Sequence, residues 1–184
     1  MDRIVIAGGT GFLGAALEKA FAARGCDVVI LTRSPSAPNH AAWDGRIVGD
    51  WAARLDGARV VVNLTGKSIN CRHTEENRRE IVRSRVDSVR AISDAIARSA
   101  RPPEVWLQAS SLDQHGDAGD RLCDEDAPKS SDFPAECCRL WEQEFRDRKP
   151  ESVRGVILRI GIVLGREGGA LATLGRLTKW LLGG

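Results

Sequence analysis

The stretch "RIVIAGGTGFLGAALEKAFAARG" (residues 3–25) decides the fold. "RIVIA" (3–7) is a short β-branched run closed by glycine, the pattern of a buried strand. From Phe12 to Arg24, the apolar residues Leu13, Leu17, Ala20 and Phe21 recur at helical spacing, and Gly25 ends the helix. Between strand and helix, Gly8, Gly11 and Gly14 stand three apart. Gly8 permits a tight turn off the strand. Gly11 removes the β-carbon that would hold a pyrophosphate away from the backbone. Gly14 lets the helix pack close. The free amides of the first helical turn, aided by the helix dipole, then face an anion. In this setting Gly8, Thr10, Gly11, Phe12, Leu13 and Gly14 are read as a cradle for a dinucleotide; the plain alternative is a structural turn without a ligand.

Outward from that stretch, strands and helices alternate. "DVVILTR" (27–33) is a second buried strand, "RIV" (46–48) a weak third and "ARVVVNL" (58–64) a strong fourth. The longest helix runs from Thr74 to Ser99, with Thr74 as N-cap, Glu75 and Glu76 in its positive first turn, and an apolar face of Ile81, Val82, Val86, Val89, Ile92 and Ile96. "EVWLQAS" (104–110) is a fifth strand. The polar segment 111–132 is a long loop, of the kind that carries function. A helix over 133–147, a sixth strand with its exit over 155–165 and a last amphipathic helix over 170–182 complete the pattern. Strands this continuously apolar are covered on both faces, which implies a parallel sheet. The expected fold is α/β: a Rossmann-type doubly wound parallel sheet, strand order 3-2-1-4-5-6, in one domain over 1–184. Residues 110–150 hold the candidate active-site loop and helix.

The end of the second strand selects the dinucleotide. An NAD site places Asp or Glu there for the ribose 2′-hydroxyl. This chain has Thr32-Arg33-Ser34, and Arg33 can pair a 2′-phosphate through two parallel bonds. NADP is therefore expected over NAD, unless Arg33 is only a solvated loop residue. Asp50, after the expected third strand, is a candidate acceptor for the adenine amino group, or a plain surface Asp.

Composition excludes several classes. Apolar residues make up 42% and charged residues 28% of 184, with a net charge of +2. Mixed charge of this size argues against nucleic acid or a membrane surface as the main partner. No apolar run approaches the roughly 18–20 residues of a membrane span. No secretory pattern precedes the first strand, so the chain is expected to begin at its mature N-terminus and to be cytoplasmic. Five cysteines, with no Cys-x-x-Cys, fit reduced thiols. Cys71 and His73 lack a second correctly spaced pair, so no metal site is expected.

Taken in order, "GGTGFLG", "LTRSP", "VVVNLTGKSI", "TEENRREIVRSRVDSVRAI" and "RIGIVLGREGGAL" resemble an atypical branch of the extended short-chain dehydrogenase/reductases, the NAD(P)-dependent epimerase family proteins (YfcH-like). The resemblance covers essentially the whole chain. It implies that the loop after the fourth strand, Asn63, Leu64, Thr65 and Gly66, passes near the cofactor. It implies that Ser110 faces the nicotinamide, and that Arg159 lies beside the cofactor. A homodimer and a small-molecule substrate are compatible with it.

The departures from the resemblance matter as much. Short-chain dehydrogenases usually pair the serine with Tyr-x-x-x-Lys, in which lysine and cofactor lower the tyrosine pKa. Here Phe133 stands about where the tyrosine would and Cys137 about where the lysine would. No tyrosine occurs in the 184 residues. His115, with Asp113 near in sequence, is a candidate substitute acid, or else a solvated loop histidine. Cys137 and Cys138 would be nucleophilic only with a stabilised thiolate. Extended members also continue into a substrate lobe, which this chain is expected to lack, leaving Trp180, Leu181 and Leu182 uncovered. The expected function is an NADP(H)-binding protein resembling nucleotide-sugar epimerases and oxidoreductases. The alternatives are a non-catalytic NADP(H)-sensing or partner-binding module, and a truncated inactive fragment.

Overall fold

The computed structural model describes residues 1–165 and 168–180. Its strands are β1 (Arg3–Ala7), β2 (Asp27–Thr32), β3 (His40–Ala42), β4 (Val60–Asn63), β5 (Val105–Ser111), β6 (Arg154–Ile160) and the short β7 (Leu164–Gly165). The helices are α1 (Phe12–Ala22), α2 (Glu75–Ala97), α3 (Phe133–Arg148) and α4 (Gly169–Lys179), with single 3-10 turns at Asp50–Arg54 and Leu112–His115. Six strands form one sheet in the order β3-β2-β1-β4-β5-β6, and each neighbouring pair is parallel. The expected order 3-2-1-4-5-6 is therefore the observed one.

Alternation along the strands divides the core between the two sheet faces. Ile4, Ile6, Val28, Ile30 and Val62 meet Leu17 and Phe21 of α1. Val5, Ala7, Val29, Leu31, Val61 and Trp106 meet Val89, Ile92 and Ile96 of α2 and Trp141 and Phe145 of α3. Trp106 and Phe145 pack edge to face at 4.9 Å. Both faces of the central strands are covered, which is why those strands read as unbroken apolar runs. β6 differs: from Gly155 to Ile160 it is only half-buried.

The third strand lies elsewhere than predicted. His40–Ala42 pairs with Ile30–Thr32, whereas residues 46–48 form no strand. The cause is Asp44, whose Oδ1 accepts the amides of Arg46 at 2.8 Å and Ile47 at 2.9 Å. That turn takes up the backbone groups a strand would need. The capping of α2 is as expected, with Thr74 Oγ1 accepting from Asn77 N. α3 is capped by Asp132, which accepts from Ala135 N at 2.9 Å. Trp180 is 79% exposed, while Leu181 and Leu182 lie outside the described residues.

The start of α1 is set by close backbone contact. A β-carbon on Gly14 would stand 2.2 Å from the Gly9 carbonyl oxygen. One on Gly9 would meet Ile30 Cδ1 at 2.6 Å. Gly14→Ala should therefore destabilise the protein by roughly 1–3 kcal/mol. Urea unfolding of the two proteins measures this; an unchanged midpoint would show that α1 can shift outward at no cost.

Candidate functional site

A cleft of about 610 Å³ opens over the C-terminal ends of β1, β2 and β4. Gly8, Thr10 and Gly11 form its floor, Thr32 and Arg33 come from the end of β2, and Trp43, Asp44, Gly45 and Arg46 follow β3. Leu64, Thr65, Gly66, Lys67 and Ser68 follow β4, and α2 contributes Glu80 and Ser84. The cleft sits where the order reverses between β1 and β4, the place at which doubly wound sheets take ligands.

The glycine loop leaves backbone exposed to this space. Gly8 has φ +74°, and a β-carbon there would press the Leu64–Thr65 backbone at 3.2 Å. A β-carbon on Gly11 would meet only the Gly8 carbonyl oxygen, at 3.6 Å. Gly11 is the N-cap of α1 and provides no side-chain cap, unlike Thr74 and Asp132 on α2 and α3. The first-turn amides of α1 thus keep the outward donors that every helix start leaves over.

Two polar atoms of the cleft residues, Thr65 Oγ1 and Trp43 Nε1, are buried without a partner among the described residues. Lys67 Nζ is paired with Glu80 and donates to Asn77 Oδ1 at 2.8 Å. The Lys67 ammonium holds the Glu80 carboxyl below its ordinary pKa. Asp44 is likewise held low, chiefly by the Ile47 amide.

The sequence-predicted residues fall into four groups. Gly8, Thr10, Gly11, Arg33, Leu64, Thr65 and Gly66 line the cleft together. Phe12, Leu13, Gly14 and Asn63 are not among the residues that line it. The Phe12 ring lies against Gly165, Gly168 and Gly169. Asn63 is fully buried, donating to Ser88 Oγ and Gln108 Oε1, both at 3.0 Å, and accepting from Thr65 N at 3.0 Å. It shapes the loop from within. Asp50 is exposed at the start of a 3-10 turn and is not among the residues lining the cleft. The carboxylates that do line it are Asp44 and Glu80, the latter paired with Lys67. Asp44, Arg46 and Lys67 escaped the sequence reading; placing the third strand at 40–42 would have pointed to the first two.

Ser110, His115 and Arg159 belong to a different assembly. Ser110 Oγ donates to Glu142 Oε1 at 2.6 Å. Arg159 grips the same carboxylate with Nε and Nη2, each at 3.0 Å, and Arg146 Nη2 donates to it at 2.7 Å. Gln114, its amide oriented by the network, accepts from Arg159 Nη1 at 2.9 Å. Glu142 is only 1% exposed. Burial alone would raise its pKa, but the bonds from Arg159, Ser110 and Arg146 outweigh that and hold it down at about 2. His115 and Arg159 line a second cleft beside β6. His115 Nδ1 is 3.4 Å from the Pro128 carbonyl oxygen, while the expected orienting residue, Asp113, accepts from Ser111 Oγ instead.

Phe133 is wedged between the edge of His73 and the guanidinium of Arg78, at 5.3 and 5.0 Å. Burial pushes the Cys137 thiol up and the Cys138 thiol to about 11. Neither is a thiolate at neutral pH.

The parallel sheet, its order reversal and the glycine loop at a helix start define the class: a doubly wound fold of the dinucleotide-binding kind. Residues 4–171 match the NAD dependent epimerase/dehydratase family, and the chain belongs to it. It is 32% identical over 173 residues to the human epimerase family protein SDR39U1, covering 92% of this chain and 57% of that protein. It is also 32% identical to Bacillus subtilis epimerase family protein YfhF, over 99% of this chain and 61% of the relative. The crystal structure of human SDR39U1 (isoform 2) with NADPH superposes with a TM-score of 0.87 at 33% identity, covering 99% of this chain and 61% of that one. The chain thus spans about three fifths of the length of these relatives. Among the described residues, no helix is long and apolar enough to cross a membrane.

Two predictions follow from the buried groups. Glu142 has a native pKa of about 2 against an ordinary 4.5, so its stabilisation is complete above pH 4.5 and is lost as the pH falls through 2. Glu142→Gln should remove that part of the acid limb and cost roughly 3 kcal/mol at neutral pH, because two guanidiniums lose their counter-charge. Chemical unfolding between pH 2 and 7 measures both; parallel curves for the two proteins would refute the ion-pair account. For the thiols, Cys71 and Cys123 are exposed and should alkylate in the native state. Cys137 and Cys138 should alkylate only after unfolding, which peptide mass mapping reads out.

Proposed function

We propose that this chain binds NADP(H) in the cleft over the glycine loop. The observation that carries the reading is the uncapped start of α1, opening onto that cleft through Gly11. A pyrophosphate would take its place against the α1 amides, where backbone donors and helix dipole favour an anion. Thr65 Oγ1 and Trp43 Nε1 are unpartnered polar atoms on residues of the same wall, which suits a polar ligand there. Arg33, at the end of β2, reads a 2′-phosphate. Asp44, rather than Asp50, is positioned by its cleft lining to accept from the adenine amino group. The cofactor would supply hydride transfer; the residues named here bind and orient it. The relationship to SDR39U1, crystallised with NADPH, supports the same choice of cofactor.

A second observation bears on use rather than binding. The Ser110 hydroxyl is given to Glu142, and a single O–H cannot also donate to a substrate carbonyl. With Phe133 and Cys137 at the places of tyrosine and lysine, the described residues lack the proton-transfer pair of related enzymes. We therefore read this unit as holding NADP(H) without tyrosine-dependent epimerase chemistry of its own. It serves as a cofactor-responsive module, or as the binding part of a larger active site.

Titration calorimetry and thermal shift with NADPH, NADP+, NADH and NAD+ test the reading. NADPH should raise the melting temperature as RT ln(1 + [L]/Kd) requires. Arg33→Ala should weaken NADPH by about tenfold, the worth of one lost charge-assisted contact, and spare NADH. No shift with any cofactor at about millimolar concentration would overturn the proposal.

A further inference from the structure

Two arginines reach the cleft from separate loops, Arg33 after β2 and Arg46 after β3. The other charges there are already answered. Lys67 is paired with Glu80, and Asp44 accepts two backbone amides. Those same amides fix the backbone of Arg46 in the cleft wall. The contact of Arg46 with Asp87 is long, 3.7 Å from Nε to Oδ2, and its side chain stays 48% exposed. Asp87 is held more closely by Arg83, at 3.1 Å. Among the described residues, no ion pair occupies Arg33.

The cleft therefore presents two guanidiniums without a carboxylate at hydrogen-bond distance. Their shared demand is for an anion of about two charges with several acceptor oxygens. A phosphomonoester carries about −1.5 to −2 at pH 7 and offers three such oxygens. A diester pyrophosphate has no terminal group of that kind, and the start of α1 already suits it. We infer that Arg46 is a second reader of the cofactor's 2′-phosphate, acting together with Arg33, and that the loop after β3 thereby sets the preference for NADP(H) over NAD(H). The inference rests on the cofactor reading above and adds a residue that the sequence did not single out.

The test compares NADPH, NADH, 2′,5′-ADP and 5′-AMP by titration calorimetry on the wild type, Arg46→Ala, Arg46→Lys and Arg33→Ala. Arg46→Ala should raise the Kd of NADPH and of 2′,5′-ADP by about tenfold and leave NADH and 5′-AMP within about twofold. Arg46→Lys should recover part of the loss, because charge returns without the planar fork. Retained NADH binding controls for folding of each variant. If Arg46→Ala weakens all four ligands alike, or none, while the wild type still prefers NADPH, the inference fails and the cofactor reading stands. If the wild type binds NADPH no more tightly than NADH, or binds neither, both fail.

Discussion

The structure depends on a place where backbones touch with no side chain between them. Gly14, in the first turn of α1, lies against the Gly9 carbonyl, and Gly9 lies against Ile30 of β2. At the first contact backbone meets backbone, and at the second the loop lies on the Ile30 side chain, so neither position has room for a β-carbon. The helix start is consequently drawn down to the sheet, and its free amides face the gap between β1, β2 and β4. Glycines lose more freedom on folding than other residues, roughly 0.5–1 kcal/mol each. The cost is met by packing Leu17 and Phe21 against Ile4, Ile6, Val28 and Ile30 on the same face.

What the sequence showed and what it hid follow one physical division. The glycine loop, the alternating elements and the strand order are written locally, in spacing and in runs of apolar residues, and they were legible. β3 was not. It is three residues long, His40-Ala41-Ala42, and exists only because Ile30–Thr32 offers it a partner. Misplacing it moved attention from Asp44 to Asp50. The Glu142 assembly was also hidden, since its members are separated by 17 and 32 residues along the chain. Arg159 carries no local sign that it will turn toward a helix rather than the cofactor cleft. Thr74, by contrast, sits in a capping pattern complete within four residues, and it caps as read.

Holding a ligand and acting on it are separated in this molecule by where the polar groups are spent. In the cleft, donors remain over: the first amides of α1, Thr65 Oγ1, and two loosely engaged arginines. At the end of β5 the polar side chains are engaged with one another. Ser110, Arg159 and Arg146 all close on Glu142, and Asn63 is bound on both ends of its amide. Spare polar capacity at one end of the sheet, and mutually engaged side chains next to it, give a site prepared for recognition beside a site prepared for rigidity.

That rigidity has a direction. Ser110 lies on β5, Glu142 and Arg146 on α3, and Arg159 on β6, so one carboxylate joins three elements that are distant in sequence. β6 is half-buried from Gly155 to Ile160 and pairs with β5 over its whole length. Opening β6 or α3 parts the Glu142 carboxylate from the Arg159 guanidinium, whereas opening β5 breaks only the bond from the Ser110 hydroxyl. That charge pair ties the opening of β6 to that of α3, so their amides are expected to share one exchange free energy.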